Sequence, residues 1–196
     1  MGVGAWNVNV ITGGMPEKIA TAVSNVNEQF VGAEYTPIAY VGSQVVNGTN
    51  HAVLAEQLLV TGKDTKNVVL LIFNEKGMDV DLVAIERIVQ SGEAFGGTVV
   101  DVKTDIPEDA QKTFDRVLGG FVGAAVEPVA LLATQVVKGV NYIFAAEVTP
   151  VVVADGEPVK KFCVVVVNSL DKKASFADVL KSGLEVALGK PLGEWP

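Results

Sequence analysis

Apolar residues recur at helical spacing in two separate stretches of the chain. Each stretch opens on a proline followed by an acidic residue, Pro16-Glu17 and Pro107-Glu108, and this pair suits the first turn of a helix. The pattern predicts two amphipathic helices, each with one apolar face packed on a sheet. The positions that share the spacing are Ile19, Val23, Val26 and Phe30 in the first stretch, and Ala110, Phe114, Val117 and Phe121 in the second.

Runs rich in valine and other β-forming residues surround both stretches and predict strands. Asn47-Gly48 separates two of these runs, and Asn-Gly is a strong hairpin signal because the tight turn requires positive φ. Lys138-Gly139 holds the same place in the second half. Residues 82–89 and 176–180 fit a short helix and a strand about equally. The other predicted strands are 5–12, 35–46, 49–60, 67–74, 98–103, 130–137, 140–153 and 159–168.

The two halves of the chain are copies of each other. Gln44-Val45-Val46-Asn47-Gly48-Thr49-Asn50 returns as Gln135-Val136-Val137-Lys138-Gly139-Val140-Asn141, an offset of 91 residues (135 minus 44). Phe30-Val31-Gly32-Ala33 and Phe121-Val122-Gly123-Ala124 keep the same offset. This tandem duplication predicts two small domains, residues 1–92 and residues 97–196. A glycine-rich linker lies between them, and the second copy ends in a C-terminal tail.

Charge and composition argue against several classes of partner. The formal net charge is −8 and no basic stripe is visible, which argues against a nucleic acid or an anionic membrane. The apolar runs stay far below the roughly 20 residues that span a bilayer. Cys163 is the single cysteine, so no intramolecular disulfide forms, and no signal peptide opens the sequence given. These observations predict a cytoplasmic protein.

The sequence offers no constellation of catalytic or metal-binding residues. His51 and Cys163 are the single histidine and the single cysteine, and neither a zinc-like spacing nor a paired-carboxylate site accompanies them. A cysteine among strand valines is typical of an inert core thiol. The sequence therefore predicts a protein that is not an enzyme and that holds no metal ion and no cofactor.

The order of a helix, a Gln-Val-Val-x-Gly hairpin and a strand that starts near Asn-aromatic resembles the cystatins, and within them the stefin branch. The residues that carry the resemblance are the two seven-residue motifs, the His51 and Tyr142 that follow them, and Val167-Asn168-Ser169-Leu170. The resemblance covers most of each half. It implies an α+β fold class with two cystatin-like domains, each an antiparallel sheet wrapped on one helix.

The resemblance also implies a function, the reversible inhibition of papain-like cysteine proteases. Cystatins block the protease cleft with a wedge of three parts, a glycine of the N-terminal trunk and the tips of two hairpins. By their spacing to the hairpin, Gly4 and Gly97 are the implied trunk glycines. The implied tip residues are Gln44, Val45, Val46, Asn47, Gly48, Gln135, Val136, Val137, Lys138, Gly139, Asn168, Ser169 and Leu170.

An alternative stays open, a non-inhibitory protein-interaction or scaffold module. Secreted cystatins carry Pro-Trp in the second hairpin, whereas neither half of this chain does, and Trp195-Pro196 is the reversed pair. Edge strands of the predicted sheets would then pair with a partner or with another copy, which gives self-association. An enzyme or ligand binder with a pocket between helix and sheet is the third reading, and no polar site in the sequence supports it.

Overall fold

The structure, a computed structural model, describes residues 4–60, 65–92, 97–151 and 158–180. The chain divides into two compact units, Met1–Ile88 and Val89–Pro196. The C-terminal tail from residue 181 and residues 93–96 of the predicted linker lie outside the described residues. The predicted domain bounds, 1–92 and 97–196, therefore stay predictions.

Both halves run strand, helix and then a series of antiparallel strands. The elements of the first sheet and its helix are β1 (Trp6–Thr12), α1 (Glu17–Gln29), β2 (Ala33–Val46), β3 (Gly48–Leu59), β4 (Thr65–Lys76) and β5 (Asp79–Gln90). Those of the second are β6 (Thr98–Lys103), α2 (Glu108–Leu118), β7 (Ala124–Val137), β8 (Gly139–Pro150), β9 (Lys161–Asn168) and β10 (Ala174–Asp178).

Among the described residues, each sheet has five strands in sequence order. The first sheet runs β1-β2-β3-β4-β5 and the second runs β10-β9-β8-β7-β6. β2 and β3 pair in antiparallel register from Ala33↔Leu59 to Val46↔Gly48, and β7 and β8 pair in the same way up to Val137↔Gly139. The long hairpins therefore carry the duplicated motif at their closed ends.

The first core lies between α1 and one face of its sheet. Ile19, Val23 and Val26 of α1 are buried in a cluster with residues of β2, β3 and β4 such as Val53 and Phe73. Pro16 precedes the helix, and its carbonyl accepts the first helical hydrogen bond, from the N–H of Ala20 at 3.0 Å. The apolar side of α1 therefore packs on the sheet at Ile19, Val23 and Val26, as the helical spacing predicts.

The second core repeats this arrangement with aromatic residues. Ala110 and Phe114 of α2 are buried against Phe144 and Val165 of the sheet, and the rings of Phe114 and Phe144 meet edge to face with their centroids 4.9 Å apart. Neither helix of the described part of the chain combines the length and the apolar content that crossing a membrane requires.

The predicted stripes are one turn too long. Phe30 and Phe121 were predicted to continue them, but each lies beyond its helix, and they are 45 % and 48 % exposed. The helices end at Gln29 and Leu118. Both helices are therefore shorter than the sequence pattern predicts.

The predicted fold class, α+β with two cystatin-like domains that each wrap a sheet on one helix, is wrong. The described part of the chain is mostly antiparallel sheet, with 61 % strand and 15 % helix in two five-stranded sheets and two helices. The helices have only 13 and 11 residues, whereas β2 and β7 have 14 each. The excess of valine, which favours strands, accounts for this balance.

The ambiguous segments at the ends of both halves are strands. In β5, Asp79 and Asp81 are exposed while Val80 and Leu82 are half-buried, and this alternation has the period of two that belongs to a strand. In the second sheet, β10 pairs with β9 from Ala174↔Val167 to Asp178↔Cys163. Both segments extend a sheet edge instead of adding a helix.

Candidate functional site

The hairpin of β2 and β3 presents two exposed valines at its closed end. We call residues 45–48 tip 1. Val45 is 57 % exposed and Val46 is 37 % exposed. Val46 pairs with Gly48, so Asn47 alone joins the strands and the predicted two-residue turn is one residue shorter. Gly48 has a φ of +103°, the positive value that the Asn-Gly signal requires.

The second unit builds the same tip from its copy of the motif. We call residues 136–139 tip 2. Val136 is 66 % exposed and Val137 is 40 % exposed, Lys138 joins the strands, and Gly139 has a φ of +87°. Each unit therefore displays a pair of valines that the folded chain leaves largely in water.

Each tip lies against the next turn of its own sheet. Turn 1 (residues 74–78) comprises the end of β4 and the two residues after it, and a Cβ atom at Gly48 would lie 2.5 Å from the backbone oxygen of Glu75 and 3.1 Å from Oδ1 of Asn74. Turn 2 (residues 168–171) comprises the last residue of β9 and the three residues after it, and a Cβ atom at Gly139 would lie 2.8 Å from Oγ of Ser169. Positive φ favours glycine at both tips, and at Gly48 the close approach of backbone requires it as well.

A chain of side-chain amides crosses the first sheet directly behind tip 1. Asn74 donates its Nδ2–H to Oδ1 of Asn50 at 2.8 Å, and Asn50 donates to Oε1 of Gln44 at 3.0 Å. Gln44 in turn donates to the backbone oxygen of Gly4 at 2.8 Å. We call these three side chains amide chain 1. They connect the N-terminal trunk, tip 1 and turn 1 in one series of hydrogen bonds.

The second sheet has the equivalent series, amide chain 2. Asn168 donates to Oδ1 of Asn141 at 2.8 Å, and Asn141 donates to Oε1 of Gln135 at 2.9 Å. Asn168 also connects tip 2 and turn 2. Its Nδ2–H donates to the backbone oxygen of Lys138 at 3.3 Å, and its Oδ1 accepts the N–H of Leu170 at 2.8 Å. Gln135, which opens the motif, and Asn141, which closes it, therefore belong to one hydrogen-bond network.

The two implied trunk glycines have different surroundings. Gly4 has a φ of +92° and donates its N–H to the backbone oxygen of Val45 at 3.0 Å, so it lies beside tip 1. Gly97 has a φ of +67° and precedes Thr98, which pairs with Gln135 of β7. Thr98 also exchanges two backbone hydrogen bonds with Gly92, of 2.9 and 3.2 Å. The first residue of β6 is thus tied to Gly92.

A cation from the helix holds each turn, and sequence reasoning missed both cations. Lys18 of α1 contacts Oε1 of Glu75 at 2.5 Å and the backbone oxygen of Gly77 at 3.1 Å. Arg116 of α2 donates to the backbone oxygens of Asn168, Ser169 and Asp171 at 3.1, 3.0 and 2.8 Å. The repeat gave no signal for them, because position 18 corresponds to Asp109 and position 116 to Asn25.

His51 lies in a buried polar cluster next to turn 1. Its Nδ1 is 2.9 Å from the hydroxyl of Tyr40, and its Nε2 is 3.2 Å from Oε2 of Glu75 without the alignment of a hydrogen bond. The hydrogen bond from Lys18 to Glu75 is the main reason that the pKa of Glu75 is lowered. Burial raises the pKa of Tyr40. The cluster stabilises the base of turn 1 with a carboxylate that stays ionised.

The second unit replaces this cluster by a single pair. Tyr142 stands where the first copy has His51, and it donates its hydroxyl to Oδ2 of Asp109 at 2.8 Å. This hydrogen bond lowers the pKa of Asp109, while burial raises the pKa of Tyr142. The polar groups beside the two tips therefore differ, although both tips share the pattern Val-Val-x-Gly.

Cys163 does not belong to a reactive site. Its thiol is buried in the second core, and burial raises its pKa to about 12, which leaves the nucleophilic thiolate almost unpopulated at neutral pH. Within residues 4–60, 65–92, 97–151 and 158–180, no group of three or more His, Cys, Asp or Glu side chains is placed to hold a metal ion. The tips are thus the candidate site.

The structure brings together most of the residues that the sequence singled out. Gly4, Gln44 and tip 1 are in contact with one another in the first unit. In the second unit, tip 2 contacts Asn168, Ser169 and Leu170. No family model, no curated protein and no solved structure matches this chain.

Proposed function

We propose that the protein is a reversible inhibitor of papain-like cysteine proteases, which inserts tip 1 and tip 2 into the active-site clefts of two protease molecules. The observation that carries the proposal is the pair of exposed valines on a tightly closed hairpin, present in both units. The resemblance of the Gln-Val-Val-x-Gly motif to that of the cystatins supports this choice of target.

Exposed apolar side chains at a narrow, rigid end suit insertion into a groove. Val45 and Val136 are the more exposed valines of the two tips, at 57 % and 66 %. Burial of an exposed valine contributes about 1.5 kcal/mol or more to binding. The valines also stand next to backbone that has no side chain at Gly48 and Gly139, so the wall of a cleft can approach closely.

A closed hairpin also resists cleavage by the protease that it blocks. The tips hold their strands in antiparallel register up to Val46↔Gly48 and Val137↔Gly139. A protease needs its nucleophile within about 3.5 Å of an accessible, correctly oriented peptide carbonyl. A backbone that is folded back on itself does not offer that geometry, so the complex dissociates without reaction.

The first unit presents the more complete wedge. Gly4 lies beside Val45, and turn 1 lies beside Gly48, so trunk, tip and turn stand in one row. In the second unit Thr98, the first residue of β6, is hydrogen-bonded to Gly92, and we propose tip 2 and turn 2 as the binding surface of this unit. Leu170 of turn 2 is 67 % exposed and supplies an additional apolar contact. We therefore expect the first unit to bind a protease more tightly than the second.

The remaining parts of the proposal concern setting and chemistry. We propose a cytoplasmic protein, because its single cysteine is a buried thiol and not half of a disulfide. We propose no catalytic activity and no cofactor, since blocking a cleft requires neither. The net charge of −8 favours a protein partner over a nucleic acid or an anionic membrane.

Titration of active papain with the full chain tests the proposal. We expect residual activity on a small peptide substrate to fall to zero, with inhibition that a higher substrate concentration relieves. The equivalence point is expected at two protease molecules per chain, because each unit carries one tip. Electrophoresis after the assay should show the chain intact.

Two results would count against this function. If papain keeps its activity at tens of micromolar of the chain, the protein does not inhibit this protease class. If activity falls only while the chain is being cut, the protein is a competing substrate and the tips do not resist cleavage. Papain with a covalently blocked active site is the matched control, because any binding of the chain to this enzyme takes place outside the cleft.

A further inference from the structure

The duplicated motif contains polar residues that the proposed contact with a protease does not use. Gln135 and Asn141 are buried, at 7 % and 6 % exposure, so they are poorly placed to touch a partner. Asparagine is depleted in strands, yet each sheet places two of them side by side in neighbouring strands. Their recurrence in both units calls for a physical reason.

The amides form hydrogen bonds only in one register of the strands. Gln44 pairs with Asn50, and Asn50 pairs with Asn74, as direct neighbours across β2, β3 and β4. A slip of one residue would turn each side chain to the opposite face of the sheet and leave the half-buried amides of the first sheet and the buried amides of the second without partners, which is costly. The amide chains therefore favour the one alignment in which tip and turn end at the same level.

We propose that the side chains of amide chains 1 and 2 are positioning residues, which hold tip and turn together so that both reach the protease at once. This inference rests on the proposed inhibition. In the first unit the series continues to Gly4 and so also positions the trunk. In the second it includes the N–H of Leu170 and so positions turn 2.

Another buried amide pair supplies a matched control. Asn67 donates to Oε1 of Gln57 at 3.0 Å, and Gln57 donates to the hydroxyl of Tyr35 at 3.1 Å. This pair also bridges β3 and β4, but it lies at the opposite end of the sheet, since Gln57 pairs with Tyr35 near the start of β2. Asn67→Leu therefore removes the same chemistry without touching tip 1.

The test compares Asn50→Leu with Asn67→Leu in a full chain whose tip 2 is disabled by Val136→Asp and Val137→Asp. We expect Asn50→Leu to weaken inhibition of papain about tenfold or more, the scale of losing buried hydrogen-bond partners. Asn67→Leu should leave inhibition unchanged. Asn74→Ala removes only the last link of amide chain 1, and it replaces Asn50→Leu if that variant does not fold.

Hydrogen exchange in the free chain separates failure of this inference from failure of the proposed function, because it needs no protease. We expect the amides of residues 45–49 to exchange faster in Asn50→Leu while those of residues 52–55 do not change. Unchanged exchange at tip 1, or faster exchange with unchanged inhibition, would overturn the positioning role. If the parent chain does not inhibit papain but exchange still responds as expected, the proposed function fails and the amides merely shape the tip.

Discussion

Aspartate in place of both valines of each tip is expected to abolish inhibition of papain. In the variant Val45→Asp, Val46→Asp, Val136→Asp and Val137→Asp, each tip loses the apolar surface that enters the cleft and brings two charges that must be desolvated there. We expect a loss of at least about a hundredfold in affinity, which corresponds to roughly 2.7 kcal/mol. Residual papain activity at a fixed inhibitor concentration measures the effect.

The fold should survive these four changes, because all four valines are at least 37 % exposed. Val31→Asp together with Val122→Asp is the matched control, since these valines are 101 % and 94 % exposed. They precede β2 and β7, whose 14 residues separate them from the tips by roughly 46 Å at about 3.3 Å per residue. Equal losses in both variants would show that apolar surface in general, and not the tips, binds the protease.

Alanine in place of Gly48 is expected to remove the first binding site and to reduce the stoichiometry from two protease molecules to one. The new Cβ would lie 2.5 Å from the backbone oxygen of Glu75, and a φ of +103° is strained for alanine by about 1–3 kcal/mol. Tip 1 and turn 1 must therefore move apart. Active-site titration of papain counts the remaining sites.

Gly139→Ala should have a smaller effect on tip 2. Its Cβ would meet side-chain atoms, Oγ of Ser169 at 2.8 Å and Cγ of Leu170 at 2.9 Å, and these can move out of the way. Gly32→Ala is the control for backbone strain alone, because its φ is +93° and nothing lies within 4 Å of the added Cβ. If Gly32→Ala lowers inhibition as much as Gly48→Ala does, the close approach of tip and turn is irrelevant to binding.

Local signals in the sequence located most of the elements. Pro16 and Pro107 immediately precede the helices, because the missing N–H of proline is harmless there. Asn47-Gly48 placed the closed end of a hairpin, although the turn proved one residue shorter. These features depend on a few neighbouring residues, so the sequence contains all the information that they need.

Features that depend on long-range pairing were harder to predict. The class assignment failed because the sequence does not show that the segments after Met78 and Lys173 join sheet edges and that both helices end before Phe30 and Phe121. Period-two burial in β5 became evident only once its partner strand was known. The two helices consequently contain far fewer residues than the ten strands of the described chain.

The candidate site was predictable as a motif but not as a network. The repeat singled out Gln44 and Asn50, yet their hydrogen bond to each other and to Asn74 depends on the register of three strands. Lys18 and Arg116 were missed because each one binds the turn of its own unit from a different position of the helix. Comparison of the two copies therefore finds what they share and overlooks such substitutes.

Hydrogen exchange of the full chain with and without papain tests the central claim most directly. If the tips enter the cleft, papain should slow exchange at residues 45–49 and 136–140 and leave residues 30–33 and 121–124 unchanged. Protection along β5 or around Phe30 and Phe121, with unaltered exchange at both tips, would contradict the account and would favour a protein-interaction module that binds through an edge of its sheet.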